Sequence, residues 1–330
     1  AAMEVLKAFD KRQFFRFFID GCQLHIPRSW RGAEEREPGF VQAMLAAWEL
    51  ILDNFDLSGG IKAGYLKRLH KACASVRMTN LKNTPGDVRY LGSMILLHTR
   101  TVTLAGLEEL LLWRRGDDLP IFYEPGYDKP ADELDPGEVL RAIREMGYLT
   151  FRPWYPLLTE DQEMSLDRRG TMIFSGSFAD FYRTKPGIQK SFAQRLDTLL
   201  KEFNSAIRQA GEPDEKIVLI AQFTRKLEIL HAFPDGNGRT FVAALMNHLL
   251  LYHGFCPAVL YDKDVNIAIS SAEWVEVIQE GMNNTRRLLV EPEMRLHGYS
   301  ILDSDPADLE EFLGWLAPIT KKLAEWPGDA

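Results

Sequence analysis

A stretch of ten residues, from His231 to Thr240, contains the residue types that phosphoryl chemistry needs. It reads His-Ala-Phe-Pro-Asp-Gly-Asn-Gly-Arg-Thr, and a long apolar run begins directly after it at Phe241. His231 can accept a proton near neutral pH, and Asp235 offers the hard oxygen ligands that Mg²⁺ prefers. Arg239 offers a planar fork of donors that matches a phosphate group. The stretch therefore predicts a base, a metal ligand and a phosphate-binding cation close together.

The two glycines of this stretch predict a loop whose backbone amides bind an anion. Gly236 and Gly238 flank Asn237 and have no Cβ, so a phosphate can approach the main chain closely. The loop leads into a predicted helix, whose first amides and dipole favour negative charge. Pro-Asp-Gly and Asn-Gly are also common turn sequences. Composition alone therefore leaves open that the loop only connects two helices.

Apolar residues recur at three- and four-residue spacing through most of the chain, which predicts helices. The helices predicted nearest the loop run from about Ile188 to Ala210 and from about Pro213 to Leu230. Further helices are predicted over about Phe40 to Phe55, Ile61 to Ser75, Glu138 to Met146, Ser271 to Asn283 and Ala307 to Trp326. The pattern from Leu91 to Trp113 fits both a strand and a helix. We predict an all-α protein with a small β-hairpin and additional helical insertions.

A short β-branched and aromatic run supplies the predicted hairpin. Thr171, Met172, Ile173 and Phe174 lie between two glycines, which is typical of one arm of a hairpin. Before it, the segment from 114 to 137 has four prolines and three glycines, which predicts a long irregular connection.

The overall composition excludes several classes of protein. The chain has 330 residues with 39 Lys and Arg against 47 Asp and Glu, a net charge of −8, so nucleic acid is not expected as a partner. Three cysteines far apart predict neither a disulfide framework nor a metal site and suit a reducing compartment. Charged residues near the start argue against a secretory signal. The uncharged run from Phe241 to Tyr261 is interrupted by polar residues, Gly and Pro, so we expect a buried helix and no membrane span.

The stretch from His231 resembles the signature of the Fic family, commonly written HxFx[DE]GNGRxxR. It matches every position of that signature except the last arginine. Helix patterns before and after the stretch resemble the family helices around its motif. A Pro-Gly-Asp-Val-Arg turn at 85–89 resembles the family's early Pro-Gly-acid turn. The resemblance covers about 61–89 and 170–261.

The resemblance implies a helical Fic fold and the transfer of a phosphate-containing group, most often AMP from ATP, to a Tyr, Thr or Ser hydroxyl of another protein. It implies that His231 is the base and that Asp235 holds Mg²⁺. The same resemblance makes Arg239 a ligand of the leaving phosphates and Phe233 the residue that anchors the loop. It implies an anion hole lined by Gly236, Asn237 and Gly238. Positioning and charge neutralisation are the main requirements of such a transfer.

Val242 stands where the family has its second arginine, which contacts the terminal phosphate of ATP and pairs with an inhibitory glutamate. Valine does neither, so we expect no autoinhibition of that kind. We expect ATP as the donor in the first place. The valine makes ATP less favoured than in the family and makes a donor with a diphosphate, such as CDP-choline, or a different nucleotide more favoured.

Family members dock the target protein on a β-hairpin flap. We place the flap at Arg169 to Tyr182, with Tyr90 to Thr103 as the rival. The division that follows is an extension over 1–60, a Fic-like core over 61–262 with an insertion at about 90–168, and an extension over 263–330. Both extensions are expected to be helical, and the insertion is expected to contact the target protein.

Other functions stay open at this point: transfer of phosphocholine, removal of such a modification, or binding of a partner without catalysis. The resemblance allows a small GTPase as the target, and a site of action in the cytoplasm or, for a secreted effector, in the cytosol of a host cell. His70 reads as a packing or surface histidine. Glu228 reads as a carboxylate on a helix surface, although it lies one turn before His231 and in a position to tune it.

Overall fold

Helices form most of the described structure, as the sequence predicts. The computed structural model describes residues 2–24, 29–75, 85–88, 95–98, 101–114, 122–124, 135–146, 148–152, 163–166, 172–175 and 188–327. The chain divides into two compact units. Unit 1 contains 1–87, 196–264 and 271–330, and unit 2 contains 88–195 and 265–270.

The helices follow the predicted order along the chain. The α-helices are α1 (Ala2–Ala8), α2 (Ser29–Arg36), α3 (Phe40–Asp53), α4 (Ala63–Ala74), α5 (Leu104–Arg114), α6 (Pro136–Met146), α7 (Ile188–Gln209), α8 (Pro213–Leu230), α9 (Asn247–Tyr252), α10 (Ser271–Val290) and α11 (Pro306–Ala324). Short 3-10 helices cover Lys11–Phe17, Gly21–Gln23, Lys263–Ile267 and Ile301–Asp303, and a π-helical segment covers Arg239–Met246.

Helix α3 shows how the apolar pattern builds the core of unit 1. Val41, Met44, Trp48 and Ile51 recur at helical spacing, and all four are buried. Trp48 meets the ring of Phe14 edge to face, with the centroids 5.0 Å apart. Helix α3 packs against both α4 and α11, so it holds α4 in place. Helix α4 in turn packs against the π-helical segment that follows the motif loop.

The uncharged run after the motif forms the π-helical segment and then α9, which ends at Tyr252 as predicted. A turn follows in which Gly254 has a φ of +87°. None of the helices in the described part of the chain is both long enough and apolar enough to cross a membrane.

The N-terminal and C-terminal segments pack together with the helices that surround the motif. The Asn247 side chain donates to the Phe17 carbonyl at 3.3 Å and accepts from the Ala258 amide at 2.7 Å. Arg16 donates to the Tyr299 carbonyl at 2.9 Å. All of these residues lie in unit 1. The division that we predict at 60 and 262 stays a prediction, because compact units need not coincide with segments added to a family core.

Unit 2 contains a small sheet that the sequence did not predict. Strands β1 (Ile95–His98), β2 (Phe122–Glu124) and β3 (Tyr148–Arg152) form an antiparallel sheet in the order β1-β3-β2. The ambiguous segment from Leu91 to Trp113 therefore contains both elements, a strand and then α5. Helices α5 and α6 pack against each other beside this sheet, α6 through its contact with β3.

The run predicted as one arm of a hairpin is a strand. Strand β5 (Met172–Ser175) pairs antiparallel with β4 (Glu163–Leu166), and Phe174 lies opposite Met164. The second arm is thus upstream of the predicted boundary at Arg169. Thr171, the rest of the predicted flap and Arg89 of the Pro-Gly-Asp turn lie outside the described residues. In the rival segment, β1 pairs with the distant β3 and not with a neighbouring strand.

Candidate active site

The main chain turns sharply at His231. Helix α8 ends at Leu230, and the amide of His231 donates to the Leu227 carbonyl at 3.0 Å as the helix cap. His231 has φ 50° and ψ 53°, a left-handed conformation that residues with a Cβ adopt at a free-energy cost. Strained conformations of this kind cluster at functional sites. The turn places the imidazole at the start of the motif loop.

The His231 ring is oriented from its own helix. Its Nδ1 lies 3.3 Å from the Glu228 carbonyl oxygen and 4.0 Å from Glu228 Oε2. The carbonyl oxygen can only accept a hydrogen bond, which favours the tautomer protonated at Nδ1. Nε2 is then the basic nitrogen, and the ring can accept a proton there.

Glu228 is buried, in contrast to the surface position that the sequence suggested. Its side chain is only 5% exposed, and its Oε1 has no hydrogen-bond partner among the described residues. Burial chiefly, together with nearby Asp264 and Asp235, raises the pKa of this carboxyl to about 8, and Lys263 opposes them. At neutral pH the neutral acid is thus the favoured form.

The two glycines of the loop serve different purposes. Gly236 has a φ of +73°, and a Cβ there would lie 3.0 Å from the Ala74 Cβ. Gly238 has an ordinary helical conformation, with φ −58° and ψ −39°. A Cβ on Gly238 would lie 3.3 Å from Asp264 Oδ1 and 3.7 Å from Glu228 Oε1. Gly236 is required by conformation, whereas the missing Cβ of Gly238 lets the Asp264 and Glu228 side chains approach the helix N-terminus closely.

Asn237 holds the loop together with its side chain. Its Oδ1 accepts from the Phe233 amide at 3.0 Å, and its Nδ2 donates to the Phe233 carbonyl at 2.8 Å. The side chain is buried, so these contacts replace water for both backbone groups. Only the backbone of Asn237 is left to line an anion hole. The first amides of a helix have no partner within the helix, and here they belong to the residues around Gly238.

The Asp235 carboxylate lies at the loop tip. Its Oδ1 accepts from the Gly236 amide at 2.7 Å, which orients the group. A carboxylate has about four lone-pair sites, and carboxylate oxygens are the ligands that a hard cation prefers. The half-buried position and the oxygen chemistry of Asp235 therefore fit Mg²⁺.

Phe233 and His70 form a stacked pair beneath the loop. Phe233 is completely buried, and its ring lies 4.0 Å from the His70 ring at an angle of 10°. His70 Nε2 lies 2.7 Å from the Asp235 carbonyl oxygen, and the Gly86 amide donates to His70 Nδ1 at 2.9 Å. His70 therefore touches the predicted loop anchor and the predicted metal ligand. The sequence pattern offered no signal for these contacts beyond the helical position of His70.

Arg239 is held by residues from the N-terminal part of the chain. Its Nη1 donates to Glu37 Oε1 at 2.7 Å, and its Nη2 contacts Glu37 Oε2. The guanidinium also lies over the Phe40 ring, 4.5 Å from the centroid. His231 and Asp235 thus lie on the motif loop, Arg239 begins the π-helical segment that follows it, and Glu37 contacts Arg239 from a part of the chain that the sequence could not place there.

The comparisons with known proteins agree with this motif. Residues 158–250 match the model of the Fic/DOC family. The resemblance to the Fic family is confirmed. A relative, phosphocholine transferase AnkX from Legionella pneumophila, is 27% identical over 302 residues, which cover 89% of this chain. The chain spans 30% of the length of that relative.

Among solved structures, a Fic domain containing signaling protein from Bacteroides thetaiotaomicron is similar. It shares 13% identity with a TM-score of 0.32, and the match covers 86% of this chain and 67% of that one.

The chain departs from the Fic signature at Val242, which is completely buried in the π-helical segment. An arginine side chain at this position would have to leave the core to reach a phosphate.

The predicted flap strand, β5, belongs to unit 2, whereas the motif loop belongs to unit 1. Docking of a target on Met172, Ile173 and Phe174 stays a prediction.

Proposed function

We propose that the protein transfers a phosphate-containing group, phosphocholine in the first place, from a nucleotide donor to a hydroxyl of a target protein. The observation that carries this proposal is the grouping of His231 and Asp235 on a loop that leads into the helix beginning at Arg239. A base, a ligand for a divalent cation and a phosphate-binding cation are the groups such a transfer uses.

His231 is proposed as the general base. The contacts of Nδ1 with Glu228 favour a proton on Nδ1, so Nε2 takes the proton from the target hydroxyl as the oxygen attacks phosphorus. The bond between phosphorus and the leaving nucleotide phosphate then breaks. The backbone amides around Gly238 stabilise the charge on the transferred phosphate because they point from the helix N-terminus.

Asp235 is proposed as the residue that holds Mg²⁺. When bound, the ion supplies charge neutralisation for the phosphate oxygens. Asp235 itself is kept in place by the Gly236 amide and by the His70 contact with its carbonyl. Arg239 is proposed to donate to the phosphates of the leaving group with the donors that face away from Glu37.

Phosphocholine is preferred to AMP for two reasons. The named relative with 27% identity is a phosphocholine transferase. Val242 stands where the family pattern has the arginine that would contact the terminal phosphate of ATP, and its side chain is apolar and completely buried. CDP-choline, with two phosphates, does not need that contact. AMP transfer from ATP is the second candidate, supported by the otherwise complete signature around His231.

Mass spectrometry of target proteins tests the proposal directly. The purified protein is incubated with Mg²⁺, a lysate and either CDP-choline or ATP, beside the variants His231→Ala and His253→Ala. His253 is a half-buried histidine after α9 and serves as the matched control. We expect a His231-dependent mass gain that corresponds to phosphocholine. A gain of AMP instead would support the second candidate.

Two further outcomes would contradict the proposal. Loss of a pre-existing modification that requires His231 would indicate a removing enzyme, since a base and a metal can also activate water. Co-purification of a partner without any change in mass, in wild type and His231→Ala alike, would indicate a binding protein. A small GTPase as the target, and action in the cytoplasm or in the cytosol of a host cell, remain proposals on the same resemblance.

A further inference from the structure

We propose that His70 is a positioning residue of this active site: its imidazole fixes the Asp235 and Phe233 segment of the motif loop relative to the turn at Gly86. The inference rests on the proposed function for its kinetic consequences only. The contacts themselves join three parts of unit 1: α4, the turn at 85–87 and the motif loop.

The two ring nitrogens of His70 have different partners, and this determines the tautomer. The Gly86 amide can only donate, so Nδ1 must accept this hydrogen bond of 2.9 Å. Nε2 therefore has the hydrogen and donates to the Asp235 carbonyl oxygen at 2.7 Å. His70 is a neutral ring with one acceptor and one donor, both of which are used.

The face of the ring makes a third contact, with Phe233. The two rings are nearly parallel, with centroids 4.0 Å apart, and both side chains are completely buried. Asn237 holds the Phe233 backbone from the other side through two hydrogen bonds. Asp235 thus lies between two fixed residues, and its own carbonyl is fixed by His70. The direction of its carboxylate depends on all three restraints.

No other side chain combines these contacts. A glutamine can donate to the Asp235 carbonyl but has no flat ring to stack on Phe233, and a phenylalanine can stack but has no hydrogen-bonding group. The space is also closed, since a Cβ on Gly236 would lie 3.0 Å from Ala74 and 3.7 Å from His70 Nε2. The loop is therefore built against His70 and its helix, α4.

The test compares His70→Phe and His70→Gln with a matched control, His248→Phe. His248 is also completely buried, and its ring lies 2.6 Å from the Tyr65 hydroxyl and 3.1 Å from the Phe55 carbonyl. Its hydrogen bonds thus go to the first turn of α4 and to the segment after α3, not to the motif loop. Both phenylalanine variants lose two buried hydrogen bonds, so a general loss of stability affects them alike.

Two readouts are used on the full chain. Hydrogen–deuterium exchange is followed in the peptide that covers 232–241. We expect faster exchange there in His70→Phe, a smaller change in His70→Gln, and none in His248→Phe. In the transfer assay we expect kcat to fall about 10–100-fold in His70→Phe, the range typical of residues that orient a metal ligand. Because His70 is buried and touches no substrate, the KM for the target should be unchanged.

Partial recovery of kcat in His70→Gln, which restores the donor to the Asp235 carbonyl, would support a positioning role. The inference is overturned if folded His70→Phe keeps wild-type exchange over 232–241 and wild-type kcat, or if His248→Phe changes both to the same extent. Absence of transfer by the wild-type protein would contradict the proposed function instead. In that case the exchange result alone decides whether His70 positions the loop.

Discussion

The guanidinium of Arg239 is bound at both ends by the carboxylate of Glu37, a residue 202 positions earlier in the chain. The Arg239 side chain is only 12% exposed and the Glu37 side chain 25% exposed, so water screens the pair incompletely. The negative charge of Glu37 offsets the positive charge of Arg239, the residue proposed to bind a phosphate. An incoming nucleotide must therefore compete with Glu37 for Arg239, or bind to N–H groups of Arg239 that do not contact Glu37.

Removal of the Glu37 charge should strengthen binding of the donor. In Glu37→Gln, no carboxylate offsets the positive charge of Arg239, because an amide attracts a guanidinium less than a carboxylate does. Arg239 then attracts an anion more strongly. We expect the KM for the nucleotide donor to fall about threefold to tenfold, which corresponds to at most about 1.4 kcal/mol. Steady-state kinetics at low ionic strength measure this change.

Glu35→Gln is the control for that prediction, because it removes the same charge from an exposed residue of the same segment. Its donor KM should remain that of the wild type. An unchanged or raised KM in Glu37→Gln would mean that Glu37 orients Arg239 for the donor and does not compete with it.

Asn237 should contribute strongly to stability. Replacement by alanine leaves the buried amide and carbonyl of Phe233 without the partners they have at 3.0 Å and 2.8 Å. An unpaired buried polar group costs about 1–3 kcal/mol, so Asn237→Ala should lower the free energy of unfolding by about 2–4 kcal/mol. Urea denaturation measures it, with exposed Asn283→Ala on α10 as the control. Equal stability of the two variants would contradict this account of the loop.

The local part of the site could be predicted from the sequence, because the chemistry is contained in one loop. His231, Asp235 and Arg239 lie within nine residues, and the turn residues and the following apolar run indicate a helix N-terminus. The helices on both sides follow from periodicity. The structure refines one point: of the two glycines only Gly236 has a positive φ, whereas Gly238 is helical and is approached closely by neighbouring side chains.

The contacts that reach the loop from elsewhere could not be predicted. His70, Glu37 and the burial of Glu228 depend on which helix faces pack together, and a single sequence does not specify this packing. His70 and Glu228 each occupy ordinary helical positions, where packing or surface roles are more common. The three-stranded sheet of unit 2 was missed for a similar reason: its strands have three to five residues each and are far apart in the chain, so no hairpin pattern marks them.

The buried acid Glu228 should make stability depend on pH. Its pKa is about 8 in the folded protein against 4.5 for an ordinary glutamate, chiefly because of burial. Between these values the folded state holds a proton that the unfolded state has released, so stability falls as pH rises through this window. Glu228→Gln lacks this group. We expect the variant to gain stability relative to wild type from pH 5 to pH 8, by at most a few kcal/mol.

Chemical denaturation of both proteins at pH 5 and pH 8 measures this difference, and exposed Glu280→Gln on α10 serves as the control. If the difference between Glu228→Gln and wild type is the same at both pH values, the Glu228 carboxyl titrates normally. Its burial would then not keep it neutral beside His231.

Introduction of the signature arginine at position 242 should fail to confer ATP use. Val242 is completely buried in the π-helical segment, so Val242→Arg places a charge in the core without a partner. An uncompensated buried charge costs about 3–5 kcal/mol, and we expect a loss of stability of that size. Val218→Arg, at a position 38% exposed on α8, should be nearly neutral.

Thermal unfolding measures the loss of stability in these variants, and transfer of AMP from ATP measures the use of ATP as donor. A stable Val242→Arg that gains transfer of AMP would show that one side chain sets the donor. The expected unfolding would show instead that the donor preference is built into the packing of the helix after the motif.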